Sequence, residues 1–321
     1  MIRFIINRTC QSLIILLVMS FFIYLLLGLM PGDPIDLLVG SDPTISSDDL
    51  QRLKELYDID KPVLERYLAW ITNAVQGDFG YSRLFAQPVM DILSPRLFNS
   101  ITLMSVSLAL ALLVAIPTGI YAATHPNSLL EKAINFLCFA GISIPPFWLA
   151  LLFILLFSVF AGILPASGME TIGDGSLIDR VHHMILPVAT LSMATIAGHT
   201  RHVSASMTEV LQNDYIRTAR AKGLLEKSVL WRHALKNALI PVVTIIALDF
   251  GSLFSGALIT ETMFSWLGMG KTIYDAIIGS DYNLALIGLL LATLLTLTAN
   301  IMADIAYATL DPRINYQKKT R

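Results

Sequence analysis

The chain has 321 residues, of which 55% are hydrophobic and 14% charged, with a formal net charge of −2 and a mean hydropathy of +0.66. Soluble domains carry about 25% charged residues, so this composition argues against a soluble enzyme, and its high hydrophobicity argues against disorder. The near-neutral charge provides no broad basic face for nucleic acid. Both cysteines lie in apolar runs, which argues against a disulfide scaffold or a cysteine metal site. The composition indicates a membrane protein.

Six stretches are long and apolar enough to cross a bilayer, which takes about 20 residues. In chain order they cover residues 9–30, 98–123, 133–161, 184–207, 238–264 and 284–308. The first stretch resembles a signal peptide in its basic start, but it is long and lacks a small-residue cleavage site, so we expect an uncleaved anchor. Pro145 and Pro146 interrupt the third stretch, and this pair predicts a break in its helix.

The distribution of Lys and Arg predicts the orientation of the spans. If the N-terminus lies in the cytoplasm, the inner segments carry 13 basic residues, whereas the two short outer loops carry only Arg180 and Lys271. We therefore expect both chain termini in the cytoplasm.

The spans divide the chain into four segments. These are an N-terminal arm with the first span (1–30), an extracytoplasmic segment (31–97), a five-helix core (98–308) and a cytoplasmic tail (309–321). The extracytoplasmic segment is polar, and it forms either a cap or a region that grips substrate. Within it, Tyr67, Leu68, Trp70 and Ile71 indicate an amphipathic helix near the membrane surface.

The longest inner loop, residues 208–237, carries six basic and three acidic residues. Its pattern predicts a short basic amphipathic helix from Tyr215 to Lys222 and a turn at Gly223, where glycine permits a conformation that other residues resist. A second helix then leads into the fifth span. The charge alone is typical of any inner loop of a membrane protein.

The order of residues in this loop is more specific. Residues 217–223 read RTARAKG and residues 232–241 read RHALKNALIP. This pattern resembles the cytoplasmic EAA loop of permease subunits in bacterial binding-protein-dependent ABC importers, in the version of the dipeptide, oligopeptide and nickel branch. Further landmarks agree, namely ISIPPFWL at 142–149, HMILP at 183–187 and NIMADIAYATLDPRINY at 300–316. Arg217 and Thr218 depart from the Glu and Ala of the general motif, and Leu267 and Lys271 replace a usual Pro and Arg.

The resemblance implies an all-α integral membrane protein with six transmembrane helices and the type I ABC importer permease fold, in the bacterial inner membrane. It implies ATP-driven import of peptides or similar small solutes. The partners would be membrane lipid, a second homologous permease subunit, two ATP-binding subunits and an extracytoplasmic solute-binding protein. We expect no enzyme activity and no cofactor on this chain. The sequence Gly270-Lys271-Thr272 lacks the first glycine of a P-loop, where Ser265 stands, so ATP and Mg²⁺ belong to the partners.

The resemblance also assigns the inner loop to coupling with the ATPase. The residues carried over from the family's loop are Tyr215, Arg217, Thr218, Ala219, Arg220, Ala221, Lys222 and Gly223.

Ionisable residues within the spans are costly, so each is a functional hypothesis by default. Asp249, where related permeases often carry Gln, lies midway along the fifth span. It either faces the translocation pathway and attracts a cationic or amino-bearing substrate, or pairs with a polar group on another span. Glu261 is a second candidate for the pathway, although helix packing or a contact with the binding protein is the ordinary interpretation. Asn300 and Asp304 share one helix face and are candidates for polar contacts between helices.

Two alternatives remain open at this point. His199 and His202 lie three residues apart on the fourth span and could bind a metal, but we predict no metal site. An ion-coupled secondary transporter with Asp249 and Asp304 as cation sites is the alternative function. That alternative leaves the pattern of the basic inner loop unexplained.

Overall fold

The computed structural model describes residues 2–29 and 61–310. In this part of the chain the fold is helical, apart from one antiparallel hairpin formed by β1 (Tyr81–Ser82) and β2 (Gln87–Pro88). The helices of eight or more residues are α1 (Ile2–Gly28), α2 (Val63–Val75), α3 (Val89–Thr124), α4 (Leu129–Ser143), α5 (Pro146–Phe153), α6 (Leu177–Leu211), α7 (Asp214–Ala221), α8 (Leu235–Met263), α9 (Met269–Ile278) and α10 (Tyr282–Leu310). A π-helical segment, Ile154–Phe160, continues α5, and a helical turn with a second π-helical segment, Glu226–Ser228 and Val229–Ala234, leads into α8.

Four of the described helices, α1, α3, α6 and α10, are long and apolar enough to cross a membrane. A fifth candidate is the pair of α4 and Pro146–Phe160, which is bent by 104° at the break between them. The bend confirms the break predicted at Pro145 and Pro146. It arises because the residue before a proline is driven out of the helical region, and Ile144 is extended here, with ψ at 123°.

The fifth predicted span lies within α8, in which the side chains at 244, 247–248 and 250–256 are outside the described part. Residues 30–60 and the tail from 311 also lie outside the described residues. The count of six spans, the four segments and the cytoplasmic position of both termini therefore stay predictions.

The chain divides into two compact units. The first is built mainly on Asn99–Lys271, where α4 and α8 pack against α6. The second combines the described parts of Thr9–Phe98 with Thr272–Leu294, and so contains most of α1, all of α2 and the hairpin.

In the first unit, small residues bring α3 and α4 close to α6. A Cβ atom on Gly119 of α3 would lie 2.7 Å from the Cβ of Val203 and 2.8 Å from the carbonyl oxygen of Thr200. A Cβ on Gly141 of α4 would lie 3.2 Å from the Cβ of Ala197. Since lipid is as apolar as the helices, their association depends on such close packing and on hydrogen bonds between them.

Hydrogen bonds join the same helices at two levels. The Ser192 hydroxyl of α6 donates to the carbonyl of Ser107 on α3 at 3.0 Å. The Ser206 hydroxyl, near the end of α6, donates to the carbonyl of Ala238 on α8 at 2.8 Å. These bonds satisfy buried polar groups that lipid cannot satisfy.

In the second unit, Asp281 fastens the hairpin to the start of α10. Its side chain is almost fully buried and accepts hydrogen bonds from the Ser82 hydroxyl at 2.5 Å and from the Leu84 amide at 3.0 Å. It also accepts from the Leu284 amide at 3.2 Å, as the cap of an α-helix does.

Replacing Gly119 with alanine should lower the melting temperature of the detergent-solubilised protein, because the new methyl group would overlap the backbone of α6. Overpacking of this kind costs about 1–3 kcal/mol. Gly198→Ala on α6 is the matched control, since no atom lies within 4 Å of the position of its Cβ, and it should be neutral or stabilising. Equal melting temperatures for the two variants would contradict the close approach of α3 and α6.

Candidate functional site

Helix α7 holds most of the residues assigned to coupling. Asp214 lies in its first turn and Arg220 in its last, where each charge is favoured by the helix dipole. One face is buried, with Ile216 at 0% and Ala219 at 6% exposure. The remaining predicted residues are exposed and form the free surface of the helix: Tyr215, Arg217, Thr218, Arg220, Ala221, Lys222 and Gly223.

The buried face of α7 packs into a core that it shares with its neighbours. The other core residues are Val203, Met207 and Val210 of α6, Val229 and Ala234 of the π-helical segment, and Ala238 and Val242 of α8. Helix α7 is thus anchored to the adjacent ends of two long helices. A force on α7 must move those ends with it or break this core.

Gly223 ends the helix in the left-handed region, with φ at +76°. Its amide donates to the carbonyl of Arg220 at 2.9 Å, and the Leu224 amide donates to that of Ala219 at 3.4 Å. These two bonds form a Schellman motif. A Cβ at Gly223 would meet nothing within 4 Å, so the backbone conformation, and not a lack of space, makes glycine necessary here.

An ion pair spans this turn. The Arg220 guanidinium contacts the Glu226 carboxylate with one Nη2–Oε1 distance of 2.5 Å and two Nε–O distances of 3.2 Å. The hydrogen bond from Arg220, together with its positive charge, lowers the pKa of Glu226 below its ordinary value. The two side chains are 44% and 56% exposed, and solvent screening limits such pairs to less than about 1 kcal/mol.

Asp249 lies on α8 and faces His199 of α6. Its Oδ2 atom is 3.3 Å from His199 Nε2, and the His199 side chain is 1% exposed. Within the described residues neither ring nitrogen of His199 makes a hydrogen bond, so this contact is an electrostatic one without hydrogen-bond alignment. The Asp249 side chain remains 40% exposed. Asp249 therefore combines a polar neighbour on another helix with an open side.

Glu261, near the end of α8, is fully buried. Its carboxylate accepts hydrogen bonds from the Ser100 hydroxyl of α3 and from the Lys271 amide, the latter at 3.0 Å. The Ser100 hydroxyl in turn accepts from the Met269 amide at 2.8 Å. The carboxylate thus lies against the first turn of α9, where free amides and the helix dipole favour a negative charge.

The loop between α8 and α9 closes around this carboxylate. A Cβ on Gly268 or Gly270 would collide with the Glu261 side chain. The indole of Trp266, which is 2% exposed, donates to the carbonyl of Asn99 on α3 at 3.3 Å. These contacts favour helix packing as the role of Glu261, and a role on the pathway stays a prediction.

Asp304 of α10 pairs with Arg8 of α1. The guanidinium makes two roughly parallel contacts with the carboxylate, Nε to Oδ2 at 2.9 Å and Nη2 to Oδ1 at 3.1 Å. Two-pronged pairs of this kind are stronger and more directional than single contacts. Asn300, one turn earlier on α10, is exposed.

The sequence does not reveal the residues that contact the three predicted carboxylates. These are Arg8 beside Asp304, Ser100 beside Glu261 and His199 beside Asp249. The pairing of His199 with Asp249 has a signal in the sequence, because they lie 8 and 11 residues from the inner ends of two consecutive predicted spans and hence at a similar depth. Ser100 and Glu261 are 161 residues apart, and no local pattern links them.

Among the residues that the structure describes, no group of three or more His, Cys, Asp or Glu side chains could hold a metal ion.

Two family profiles match this chain. Residues 115–316 match the family described as "Binding-protein-dependent transport system inner membrane component". Residues 1–104 match a profile described as "Binding-prot-dependent transport system membrane comp, N-term". The two matches together account for nearly the whole sequence.

Named relatives of similar length agree with these profiles. The chain is 41% identical over 318 residues to the oligopeptide transport system permease protein AppB of Bacillus subtilis (strain 168), which covers 98% of this chain and 100% of the relative. It is 34% identical over 340 residues to the dipeptide transport system permease protein DppB of Escherichia coli (strain K12), with 99% and 100% covered. It is also 34% identical over 317 residues to the glutathione transport system permease protein GsiC of the same strain, with the same coverage.

Among solved structures, the chain resembles the MetNI methionine ABC transporter in an inward-facing conformation. The TM-score is 0.58, and the match covers 69% of this chain and 97% of that chain. The sequences are 17% identical, so this likeness concerns the fold alone. It confirms the helical importer fold expected from the sequence.

Glu226→Gln should destabilise the turn after α7 only at pH values at which the Glu226 carboxylate of the unsubstituted protein is ionised. Because the folded loop lowers the pKa of Glu226, the ion pair stabilises the loop above the ordinary pKa of glutamate, and this contribution is lost as the pH falls through the lowered value. We expect protection factors of the α7 amides, measured by hydrogen exchange, to fall by about threefold or less at neutral pH. The difference should vanish in acid. Glu209→Gln, at an exposed glutamate of α6, is the control, and a difference independent of pH would contradict the ion pair.

Proposed function

This chain belongs to the family of inner membrane components of binding-protein-dependent transport systems, and on that premise we propose that it forms part of a pathway by which small peptides enter the cell. As a member of the family it is the permease subunit of an ATP-driven ABC importer in the bacterial inner membrane. It is not an enzyme, since ATP is hydrolysed by partner subunits. An ion-coupled secondary transporter is set aside, because a binding-protein-dependent system draws its energy from those partners.

Peptides are the proposed substrates because relatives matched over their full length are named as oligopeptide and dipeptide permeases. A third is named for glutathione, which is itself a small peptide. These substrates share peptide bonds, a free ammonium group and at least one carboxylate. Leu267 and Lys271 depart from the usual residues of the branch; Leu267 is 45% exposed, and the Lys271 amide donates to the buried Glu261 carboxylate.

The observation that carries the coupling role is the anchoring of α7 through Ile216 and Ala219 to the core formed by α6 and α8. We propose that an ATPase subunit binds the exposed face of α7, which presents Tyr215, Arg217 and Thr218. When ATP draws the two ATPase subunits together, α7 moves with its subunit, and the shared core carries the movement into α6 and α8. The pathway then opens to the other side of the membrane.

The proposed assembly contains two permease and two ATPase subunits, with an extracytoplasmic solute-binding protein. Since this chain has one α7, it provides one docking site for an ATPase subunit. A pair of ATPase subunits then needs a second homologous permease that carries its own coupling helix. ATP and Mg²⁺ would lie on the ATPase subunits, and we propose no cofactor for this chain.

We propose that Asp249 faces the translocation pathway. Its carboxylate is 40% exposed on the surface of this chain and lies twelve residues, or about 18 Å along the helix axis, from Glu261 at the end of α8. An ionised carboxylate in contact with lipid at this depth costs about 2.5 kcal/mol or more. The exposed side is therefore expected to face water or a polar partner, and the pathway provides both. There the carboxylate would attract the ammonium group of a peptide.

Gly223→Pro should abolish ATP-driven uptake while the protein still inserts into the membrane. Proline fixes φ near −65° and removes the amide that closes the Schellman motif, at a cost of about 3 kcal/mol or more. Uptake of a labelled dipeptide would be measured in proteoliposomes that contain the permeases, the ATPase subunits and the binding protein. Gly173→Pro is the matched control, because Gly173 also has positive φ (+92°) and open space around it but lies in the loop between α5 and α6. Normal uptake by Gly223→Pro would overturn the coupling role.

Asp249→Asn should reduce uptake of peptides with a free ammonium group by about fivefold, which corresponds to about 1 kcal/mol of lost attraction. Uptake of the same peptide with its amino group acetylated should be unchanged, since that substrate carries no positive charge for Asp249 to attract. Both rates would be measured at saturating concentrations of loaded binding protein. An unchanged ratio of the two rates would overturn the pathway role of Asp249 while leaving the coupling role intact.

A further inference from the structure

Helix α2 carries an apolar stripe on its exposed side. Leu64, Leu68 and Val75 are 57%, 54% and 84% exposed, and the partly buried Ile71 lies between Leu68 and Val75. Their spacings of four, three and four residues place them on one side of the helix. A stripe of this kind on a thirteen-residue amphipathic helix is typical of a face that an apolar partner covers.

The neighbouring side of α2 is packed against α1. Tyr67 is 5% exposed, and its ring makes edge contacts with Phe21 at 5.2 Å and Tyr24 at 5.6 Å between centroids. Its hydroxyl shares a hydrogen bond with the Ser20 hydroxyl at 2.7 Å. Trp70, one turn later, contacts Tyr24 at 5.9 Å. These aromatic contacts fix which side of α2 meets α1 and which side is left open.

The contacts also fix the depth of α2 relative to α1. Phe21 and Tyr24 lie seven and four residues before Gly28, where α1 ends, which is about 10 Å and 6 Å along the helix axis. Half of the hydrocarbon core is about 15 Å thick. In the predicted orientation, with the N-terminus in the cytoplasm and the end of α1 at the outer membrane surface, helix α2 therefore lies beside the part of α1 that crosses the outer half of the bilayer.

The exposed surface of α1 has the same character. Phe22 and Leu26 of α1 and Leu29, just past its end, are 52%, 63% and 72% exposed, and Phe22 follows Phe21, which contacts α2. This flank belongs to a helix whose length and composition suit a membrane span. The open stripe of α2 thus has the same chemistry as this flank of α1, and near Tyr67 it lies at the same depth.

We propose that α2 is inserted into the outer leaflet, with Leu64, Leu68 and Val75 in contact with phospholipid acyl chains. The polar side of the helix, with Glu65 and Asn73, then faces water or protein, as in an amphipathic helix at a membrane interface. Tyr67 and Trp70 lie at the level where aromatic side chains are enriched in membrane proteins. Helix α2 thus supports α1 from within the bilayer. This role does not depend on the substrate or on ATP coupling.

Quenching of a fluorescent label would test the insertion. Leu68→Cys, in a background with Cys10 and Cys138 replaced by serine, would be labelled with bimane and the assembled importer placed in phosphatidylethanolamine and phosphatidylglycerol nanodiscs. Phosphatidylcholine brominated on its acyl chains would be the lipid quencher, and iodide the aqueous one. Asn73→Cys, on the polar side of α2, is the matched control. Leu13→Cys, at a 58% exposed position of α1, is the reference for a lipid contact.

We expect brominated lipid to quench the label at Leu68 about twofold more than the label at Asn73, and to a degree similar to the label at Leu13. Iodide should show the reverse order. If iodide quenches Leu68 as strongly as Asn73, the stripe faces water and the proposal is wrong. If neither quencher reaches Leu68, another protein surface covers it, which also overturns the proposal. Leu64→Cys gives the same readout should the label at Leu68 prevent assembly.

Discussion

Helices α6 and α8 lie side by side, and their contact supports both α7 and the surroundings of Asp249, the two regions to which we assign a function. Because lipid provides no hydrophobic force between apolar helices, the contact depends on close packing and on hydrogen bonds such as that from Ser206 to Ala238. At one end of this pair, the core around Ile216 holds α7. Further along, the pair brings His199 and Asp249 together. A displacement of α7 and a change around Asp249 are therefore linked through the same two helices, which is the physical basis of the coupling that we propose for this chain.

The charges near or within the membrane differ in how they are compensated. Asp304 has a full counter-charge in Arg8. Glu261 is buried, and hydrogen bonds from a hydroxyl and a backbone amide stabilise its carboxylate. Asp249 has a buried histidine beside it and an open side. The first two arrangements suit a structural role, whereas the Asp249 side chain is 40% exposed beside its histidine neighbour.

The sequence predicts the structural features that depend on residues close together in the chain. The apolar runs predict the spans, Pro145 and Pro146 predict the break between α4 and α5, and Gly223 predicts the turn that ends α7, since each follows from local hydropathy or backbone geometry. Contacts between residues far apart in the chain are harder to predict from the sequence. Glu261 is a pathway candidate because it is an ionisable residue in a predicted span, and no spacing in the sequence shows that Ser100 and Lys271, on other elements, contact its carboxylate. The amphipathic pattern of α2 was visible around Tyr67, but its position beside Phe21 of α1 follows only from tertiary contacts.

The Glu261 carboxylate, the Ser100 hydroxyl and the glycines at 268 and 270 occupy one space, so none of them can change independently. A larger residue at either glycine would expel the carboxylate, and a smaller residue at 261 would leave a cavity and remove the acceptor of the Ser100 hydroxyl and the Lys271 amide. In chimeric permeases, the end of α8, the loop and the start of α9 must therefore be exchanged as one cassette, together with the serine of α3. A junction placed inside this cassette would combine halves that do not fit.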